Sequence, residues 1–464
     1  MRPPRGNTTD AQEFDDVSTK QRRIAELARG RPEMVFTSLA HLIDLAWLKE
    51  AYARTRKDGA VGVDGQTAAD YEKDLEGNLR QLLERAKSGT DRAPPVRRVH
   101  IPKAGSPTET RALGIPTYED KILQRAVLML LEPVYEAEFS PCSYGFRPGR
   151  SAHDAPEAVW QVTTSVHGGW IADIDLRNYF DTIDHGHLLE SLKRRVRDGV
   201  LVRLIGKWLN AGIFESGGVT YPDSGTPQGG VISPLLANIF LHYVLDDWFE
   251  REVRRRMLGS SFLIRYADDL VIVFEHEADA RRVMEVLPKR MSKYGLTIHP
   301  EKSRLLDFRA PERRARVVSD AASPPEGATC GNDSFDFLGF THYWGRSRRG
   351  RPQVKRKTSR SRWTRTLSRI WEWCRDHRHD PPLLQQLDLI QKLRGHFAYY
   401  GLADNLRGLH GLLSETHRIW RFWLNRRGRG DSMPWEKYER FSERYPLPRA
   451  VLDYPRVRLV ARAL

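Results

Sequence analysis

Apolar residues recur along this chain in two rhythms. Over 37–56, Leu39, Leu42, Ile43, Ala46 and Trp47 fall at three- and four-residue steps, the spacing of one helix face. Leu75, Leu79, Leu82 and Leu83 repeat that pattern. So do Ile122, Ala126, Val127 and Leu130 over 118–131, where Glu132-Pro133 is expected to end the helix. Further helical patterns occupy 18–30, a stretch from about Ser151, the region around Leu188, Leu189 and Leu192, and 383–425. Ser233 and Pro234 read as cap and first turn of a helix running to about Arg256. Another spans 277–294, kinked at Pro288 and closed by Gly295. Short runs at 96–103, 111–117, 170–176, 296–303 and 335–340 change to the strand rhythm. The strongest strand signal is Phe262-Leu-Ile-Arg-Tyr-Ala-Asp-Asp-Leu-Val-Ile-Val-Phe274, two apolar strands around a tight turn. Residues 1–17 are polar and patternless, and 309–334 form a polar loop. No internal repeat is present.

Composition narrows the class. A chain of 464 residues implies two to four domains, and a formal net charge of +15 favours a polyanionic partner. No apolar run approaches the roughly 18 residues of a spanning helix, and the N-terminus lacks a secretory apolar stretch. Cys142, Cys330 and Cys374 lie far apart, without a Cys-x-x-Cys pair, so a reducing cytoplasm is expected. Residues 346–375 hold twelve Lys/Arg against one acid, Glu372, interleaved with Trp363, Trp371 and Trp373. That mixture suits a surface for phosphates and stacked bases, with Lys355, Arg356 and Lys357 as candidate contacts.

The candidate chemistry lies in the acids. Carboxylates at a buried hairpin tip are costly unless a cation or hydrogen bonds compensate them. In 170–176, Asp173 and Asp175 share one face by the period of two, in a residue type that strands deplete. Neighbouring carboxylate-bearing strands would bring Asp175, Asp268 and Asp269 together as ligands for Mg2+, which takes oxygen donors and leaves places for phosphates. Two such ions suit phosphoryl transfer. The role of Asp173 stays open. Lys103 and Arg111, on a basic hairpin, are then expected to bind a triphosphate, and Phe180 to floor the sugar pocket and sense a 2′-hydroxyl by its bulk. The loop Ser143-Tyr-Gly-Phe-Arg-Pro-Gly-Arg-Ser-Ala-His153 offers Arg147 and Arg150 to a nucleic-acid backbone, and Lys302 is a further candidate contact.

These motifs, in this order, resemble the reverse transcriptase–maturase proteins of group II introns over about residues 45–425. The Tyr-x-Asp-Asp box falls on Tyr266-Ala-Asp-Asp269, the Asp-to-aromatic box on Asp175 to Phe180, and the Pro-Gln-Gly box on Thr226–Pro234. Gly62-Val-Asp-Gly65 resembles the family's extra N-terminal block, and the Phe-x-Phe-Leu-Gly-Phe box is at 335–340. Leu393-Arg-Gly-His-Phe-Ala-Tyr-Tyr-Gly401 and Trp420–Arg427 resemble its thumb signature, with His396 where tryptophan is more usual. The resemblance implies an α/β (α+β) right-hand polymerase fold: an N-terminal arm at 1–36, fingers and palm at 37–345, a helical thumb and maturase domain at 346–425. A short basic DNA-binding tail at 426–464 would complete it, without an endonuclease domain. It further implies Gln228 beside the incoming nucleotide, two Mg2+ ions on the three acids, and activity as an RNA-directed DNA polymerase with maturase activity in retrohoming. The implied partners are an RNA template, group II intron RNA, a DNA primer and target, and dNTPs, with no membrane. The competing expectations are an RNA-binding splicing cofactor with a vestigial polymerase, and a host-defence relative.

Overall fold

The computed structural model of the protein describes residues 8–102, 110–215, 217–221, 223–226, 229–311, 334–427 and 433–450, with side chains from residue 16. Among these, β1 (Val96–Pro102), β2 (Thr110–Ile115), β3 (Trp170–Asp175), β4 (Ile213–Glu215), β5 (Gly218–Thr220) and β6 (Ser261–Tyr266) come first in the chain. They are followed by β7 (Asp269–Phe274), β8 (Arg304–Asp307), β9 (Phe335–Phe337), β10 (Phe340–Arg346) and β11 (Pro352–Thr358). Three sheets result, ordered β2-β1-β4-β5, β6-β7-β3-β8 and β11-β10-β9, interspersed with helices in the mixed α/β manner expected. Two compact units divide the chain: Met1–Ser151 with Ile174–Ile272 and Ala278–Leu305, and Ala152–Asp173 with Val273–Glu277 and Leu306–Leu464.

The first unit is built around the helix Tyr118–Glu136, whose Ile122, Leu123, Ala126, Val127, Leu130 and Leu131 are fully buried. This helix does not stop at Pro133. A proline removes the N–H that would bond the carbonyl four residues back. Here that carbonyl, Met129 O, accepts instead from Gln21 Nε2 at 3.0 Å, so the helix continues one turn. Gln21 belongs to the helix Thr8–Gly30, which begins ten residues earlier than the periodicity of 18–30 suggests. The stretch expected as one helix over 37–56 is divided into Ala40–Leu42 and Leu45–Ala53. Asp198 accepts the Leu39 and Ala40 amides at 2.6 and 2.8 Å, and Asp44 caps the second segment at Trp47 N. Carboxylates that satisfy free amides set these ends more sharply than apolar spacing does.

The helix Ser233–Leu241 starts at the predicted Ser-Pro pair and passes into two π-helical turns, His242–Asp246 and Phe249–Val253. Glu277–Ser292 runs through Pro288, and Gly295 follows in the left-handed region at φ +75°. The strand expected over 296–303 lies later, at β8. Pro300 interrupts a ladder there, and the segment instead folds back on Asp175: His299 N donates to Asp175 O at 2.8 Å, and Ser303 Oγ accepts Asp175 N at 3.0 Å.

In the second unit β9 and β10 are joined by Leu338 and Gly339 at φ +49° and +82°, the two left-handed residues that a tight hairpin of matching twist demands. Helices Arg360–Asp376, Pro382–Tyr400, Leu406–Leu424 and Trp435–Arg444 enclose a core that includes Ile370, Leu389, Leu393, Leu409, Leu412 and Trp420. Trp420, fully buried, donates through Nε1 to Gln385 Oε1 at 2.8 Å, so its one polar group is satisfied. Among the described residues no helix is long and apolar enough to cross a membrane.

Candidate active site

The site is assembled where β7 lies between β6 and β3. Asp175 is the last residue of β3, Asp269 the first of β7, and the two-residue turn Ala267–Asp268 joins β6 to β7. Leu263, Ile264, Leu270, Val271, Ile272 and Val273 are buried, so the apolar hairpin anchors itself, with Asp268 half-buried and Asp269 exposed at its tip. Ala267 stands at φ +56°, a conformation that costs a residue bearing a Cβ roughly 1–2 kcal/mol. The contacts beneath it hold it there.

Gly145, from the Ser-x-Gly-Phe-Arg-Pro loop, passes directly under the turn. A Cβ on Gly145 would sit 2.5 Å from Ala267 N and 3.1 Å from Tyr266 C, closer than backbone atoms tolerate. Gly145→Ala should therefore push the carboxylate turn aside. A fall in stability of about 1–3 kcal/mol, the cost of overpacking, is expected, seen as a lower melting temperature.

Electrostatics tie the predicted residues together. Burial pushes the Asp268 carboxyl above the ordinary carboxylate range; its own backbone amide and Arg111 pull it back, and neighbouring Asp175 adds to the rise. Asp268 thus feels both the acid of β3 and the guanidinium of β2. Arg111 is exposed and sits opposite Ile101 in the β1–β2 ladder. Asp269 is exposed, and with burial it raises the Tyr266 hydroxyl pKa. Asp173 occupies the same half-buried face of β3 as Asp175.

Phe180 is half-buried on the short helix Tyr179–Thr182. Tyr179 fixes that helix by donating from its hydroxyl to Ala237 O at 2.7 Å, and its ring packs 5.3 Å from Phe180. Thr226 N donates to Phe180 O at 2.7 Å, so the aromatic residue and the start of the Pro-Gln-Gly loop are one piece. Gly229, at the far side of that loop, lies at φ +118°, where a Cβ would come within 2.7 Å of Gly114 O on β2. Lys103 and Gln228 lie outside the described residues.

The other basic candidates divide. Lys302 lies beside the acids: its Nζ is 3.6 Å from Asp175 Oδ2, with the side chain 62% exposed. Arg150 is exposed, its guanidinium 5.1 Å from the Tyr144 ring. Arg147, by contrast, is buried. It binds Glu136 through Nε and Nη2, and donates through Nη1 to Ser140 O and Ser143 O at 2.9 and 2.8 Å. It braces its own loop from inside. In the second unit Lys355 and Lys357 share one face of β11, with Lys357 4.9 Å over the Tyr343 ring. Arg356 points the other way, buried, paired with Glu157 at 2.7 Å and 5.4 Å from the Trp160 ring. Neither Arg147 nor Arg356 offers an open fork to a phosphate. Arg360, Arg362, Arg369 and Arg375 are exposed along the helix Arg360–Asp376.

The acids suit a hard divalent cation in chemistry: all three supply oxygen, and two are close enough for their charges to oppose each other. Among the described residues no three His, Cys, Asp or Glu side chains already converge as a metal cage. Mg2+ bound with substrate phosphates needs only one or two protein carboxylates, so this open arrangement is compatible with it.

Comparison with known proteins agrees with the geometry. Residues 101–342, just over half the chain, match the family described as reverse transcriptase (RNA-dependent DNA polymerase). The chain belongs to the reverse transcriptase family. It is 39% identical to the protein YkfC of Escherichia coli over 289 residues, covering 55% of this chain and 75% of that one. It is 35% identical over 245 residues to the group II intron-encoded protein LtrA of Lactococcus lactis, covering 51% of this chain and 40% of LtrA. A putative COX1/OXI3 intron 2 protein of Saccharomyces cerevisiae is 30% identical over 349 residues, 64% of this chain and 40% of that protein. The chain thus spans well under half of these two intron-encoded relatives. Within the reverse transcriptase family its kinship is with the group II intron-encoded type, as the order of its motifs implied.

Proposed function

We propose that this reverse transcriptase extends a DNA 3′-hydroxyl on an RNA template and also assists splicing of a group II intron RNA, acting in retrohoming. The observation that carries the polymerase reading is the placement of Asp175 at the end of β3 beside β7, which begins at Asp269 directly after the turn residue Asp268. Arg111 on the basic hairpin is near enough to pull the Asp268 carboxyl down, as a triphosphate site beside metal-binding acids would need. Asp175, Asp268 and Asp269 would hold two Mg2+ ions. Bound there, the pair would supply charge stabilisation for the attacking hydroxyl and the leaving pyrophosphate.

The chain's own residues do the positioning. Arg111, with Lys103 from the same hairpin, takes the triphosphate; Arg adds the planar fork that orients it. Phe180 floors the sugar pocket, and Gln228 follows from the Pro-Gln-Gly loop that Phe180 helps to anchor. An N-terminal arm would occupy 1–36, fingers and palm 37–345, the thumb and maturase domain 346–425, and a short DNA-binding tail 426–464. Intron RNA would lie along the exposed arginines of Arg360–Asp376 and Lys357.

Arg111→Gln tests the nucleotide role. Its dNTP KM on a DNA-primed RNA template should rise by about 10- to 100-fold, the loss of a charge-assisted contact. Unchanged KM would remove Arg111 from the site. In the same assay intron RNA should compete with the primed template, and more strongly than an unrelated RNA of equal length. Equal competition would count against the maturase role.

A further inference from the structure

Arg265 immediately precedes the Tyr266-Ala-Asp-Asp269 box and is fully buried. A guanidinium has five N–H donors in a fixed fork, and here every one is used. Nε and Nη2 bind the two oxygens of Asp246, itself fully buried, at 2.8 and 2.6 Å. Nη1 donates to Asn238 Oδ1 at 2.9 Å and to Ala267 O at 3.1 Å; the second Nη2 hydrogen goes to Ser143 Oγ at 2.8 Å.

Neutralising a buried arginine needs only the carboxylate. The other three donors reach three different segments, and each bears on the acidic turn. Ala267 is the left-handed residue of the turn, and its carbonyl is the one Arg265 holds. Ser143 belongs to the loop that runs under the turn, and backbone bonds on both sides of Arg265 lock that loop: Arg265 N to Cys142 O and Tyr144 N to Arg265 O, both 2.8 Å. Asn238 extends the clamp by donating from Nδ2 to Gly145 O at 2.7 Å. Asp246 ends the π-helical turn His242–Asp246, an irregularity of the kind that re-aims a side chain.

We infer that Arg265, held by Asp246, is a positioning residue of the polymerase site: it sets where Asp268 and Asp269 are presented by fixing the Ala267 carbonyl and the Ser143–Gly145 loop as one body. This rests on reading Asp268 and Asp269 as the catalytic acids. It differs from a purely structural role in one respect. A purely structural Arg265–Asp246 pair, replaced by apolar residues of similar volume, would change stability and leave kcat and metal affinity near wild type in the protein that still folds. A positioning pair would change both.

The test uses Arg265→Met combined with Asp246→Leu, beside Asp268→Asn, in the full-length protein. Melting temperature, primer-extension kcat and dNTP KM on an RNA template, and terbium luminescence sensitised by nearby tyrosine are measured for each. The double variant leaves the Asn238, Ser143 and Ala267 oxygens without this donor, so it should melt below wild type yet remain folded, and keep its KM within about threefold. Its kcat should fall about 100-fold, as for displaced catalytic groups, and terbium affinity by about tenfold, as for lost supports of metal ligands. Wild-type kcat and terbium affinity in the double variant would overturn the inference. Should that variant not fold, Asn238→Ala keeps the charge pair and frees only the clamp; a kcat fall of about tenfold is expected, and an unchanged kcat overturns the inference equally. Full activity in Asp268→Asn would instead sink the reading of the acids themselves.

Discussion

Replacing Asp268 with alanine is expected to abolish dNTP incorporation on a primed RNA template, by at least about 10³-fold in kcat, while RNA binding persists. Among the three acids it has the strongest physical case. Its carboxyl is raised by burial and by Asp175, yet it sits at the tip of a strained turn held by a dedicated buried clamp. Such a group is unfavourable in the empty protein and becomes favourable only when positive charge arrives. Removing it should therefore not unfold the chain. It should remove the reason for two strands to present acids side by side. The exposed arginines of Arg360–Asp376 are untouched, so binding of RNA, measured by filter retention, should stay within about twofold of wild type. Undiminished incorporation would contradict the assignment.

The second large effect should come from Phe180→Val, on selectivity rather than rate. The backbone that carries the ring is held in place: Tyr179 pins the helix to Ala237 O, and Thr226 N holds the Phe180 carbonyl. If its bulk excludes a 2′-hydroxyl, the smaller side chain should admit ribonucleotides. The ratio of kcat/KM for a dNTP over the matching rNTP should fall by about 100-fold, the scale on which pocket shape alone discriminates. The dNTP parameters should change far less. A preserved ratio would mean that the 2′-position is read elsewhere.

Much of this was legible in the chain. The acidic hairpin betrayed itself because two aspartates interrupt an apolar run that otherwise belongs in a core. Asp175 was visible through the period of two, and Phe180 and the Pro-Gln-Gly loop through their order along the chain. Local features governed by distant partners were not visible. Pro133 reads as a stop only if Gln21, more than a hundred residues earlier, is left out. The one helix expected over 37–56 is broken by Asp198, which the local pattern does not contain.

Charge was the poorest guide. Arg147 and Arg356 read as surface cations, but Glu136 and Glu157 take them into the interior. For Arg356 the signal existed: in a strand, the residue between Lys355 and Lys357 faces the opposite side. Lys302 reads from the sequence only as a nucleic-acid contact, and its place beside Asp175 is not visible there because the fold-back of 297–303 depends on tertiary hydrogen bonds. Arg265 reads from the sequence as one more strand residue, and nothing in its neighbourhood announces Asp246, Asn238 or Ser143. Gly145 reads from the sequence as part of a loop, because the turn it passes under, Ala267–Asp268, lies more than a hundred residues later.

The most direct test of the whole account is a single assay of the wild-type protein: extension of a DNA primer on an RNA template as Mg2+ is titrated, with a matched DNA template alongside. The account predicts RNA-templated dNTP addition that rises to saturation with Mg2+ and vanishes on chelation. No product at any concentration of any divalent ion, from protein that still binds intron RNA, would contradict it and leave an RNA-binding splicing cofactor in its place.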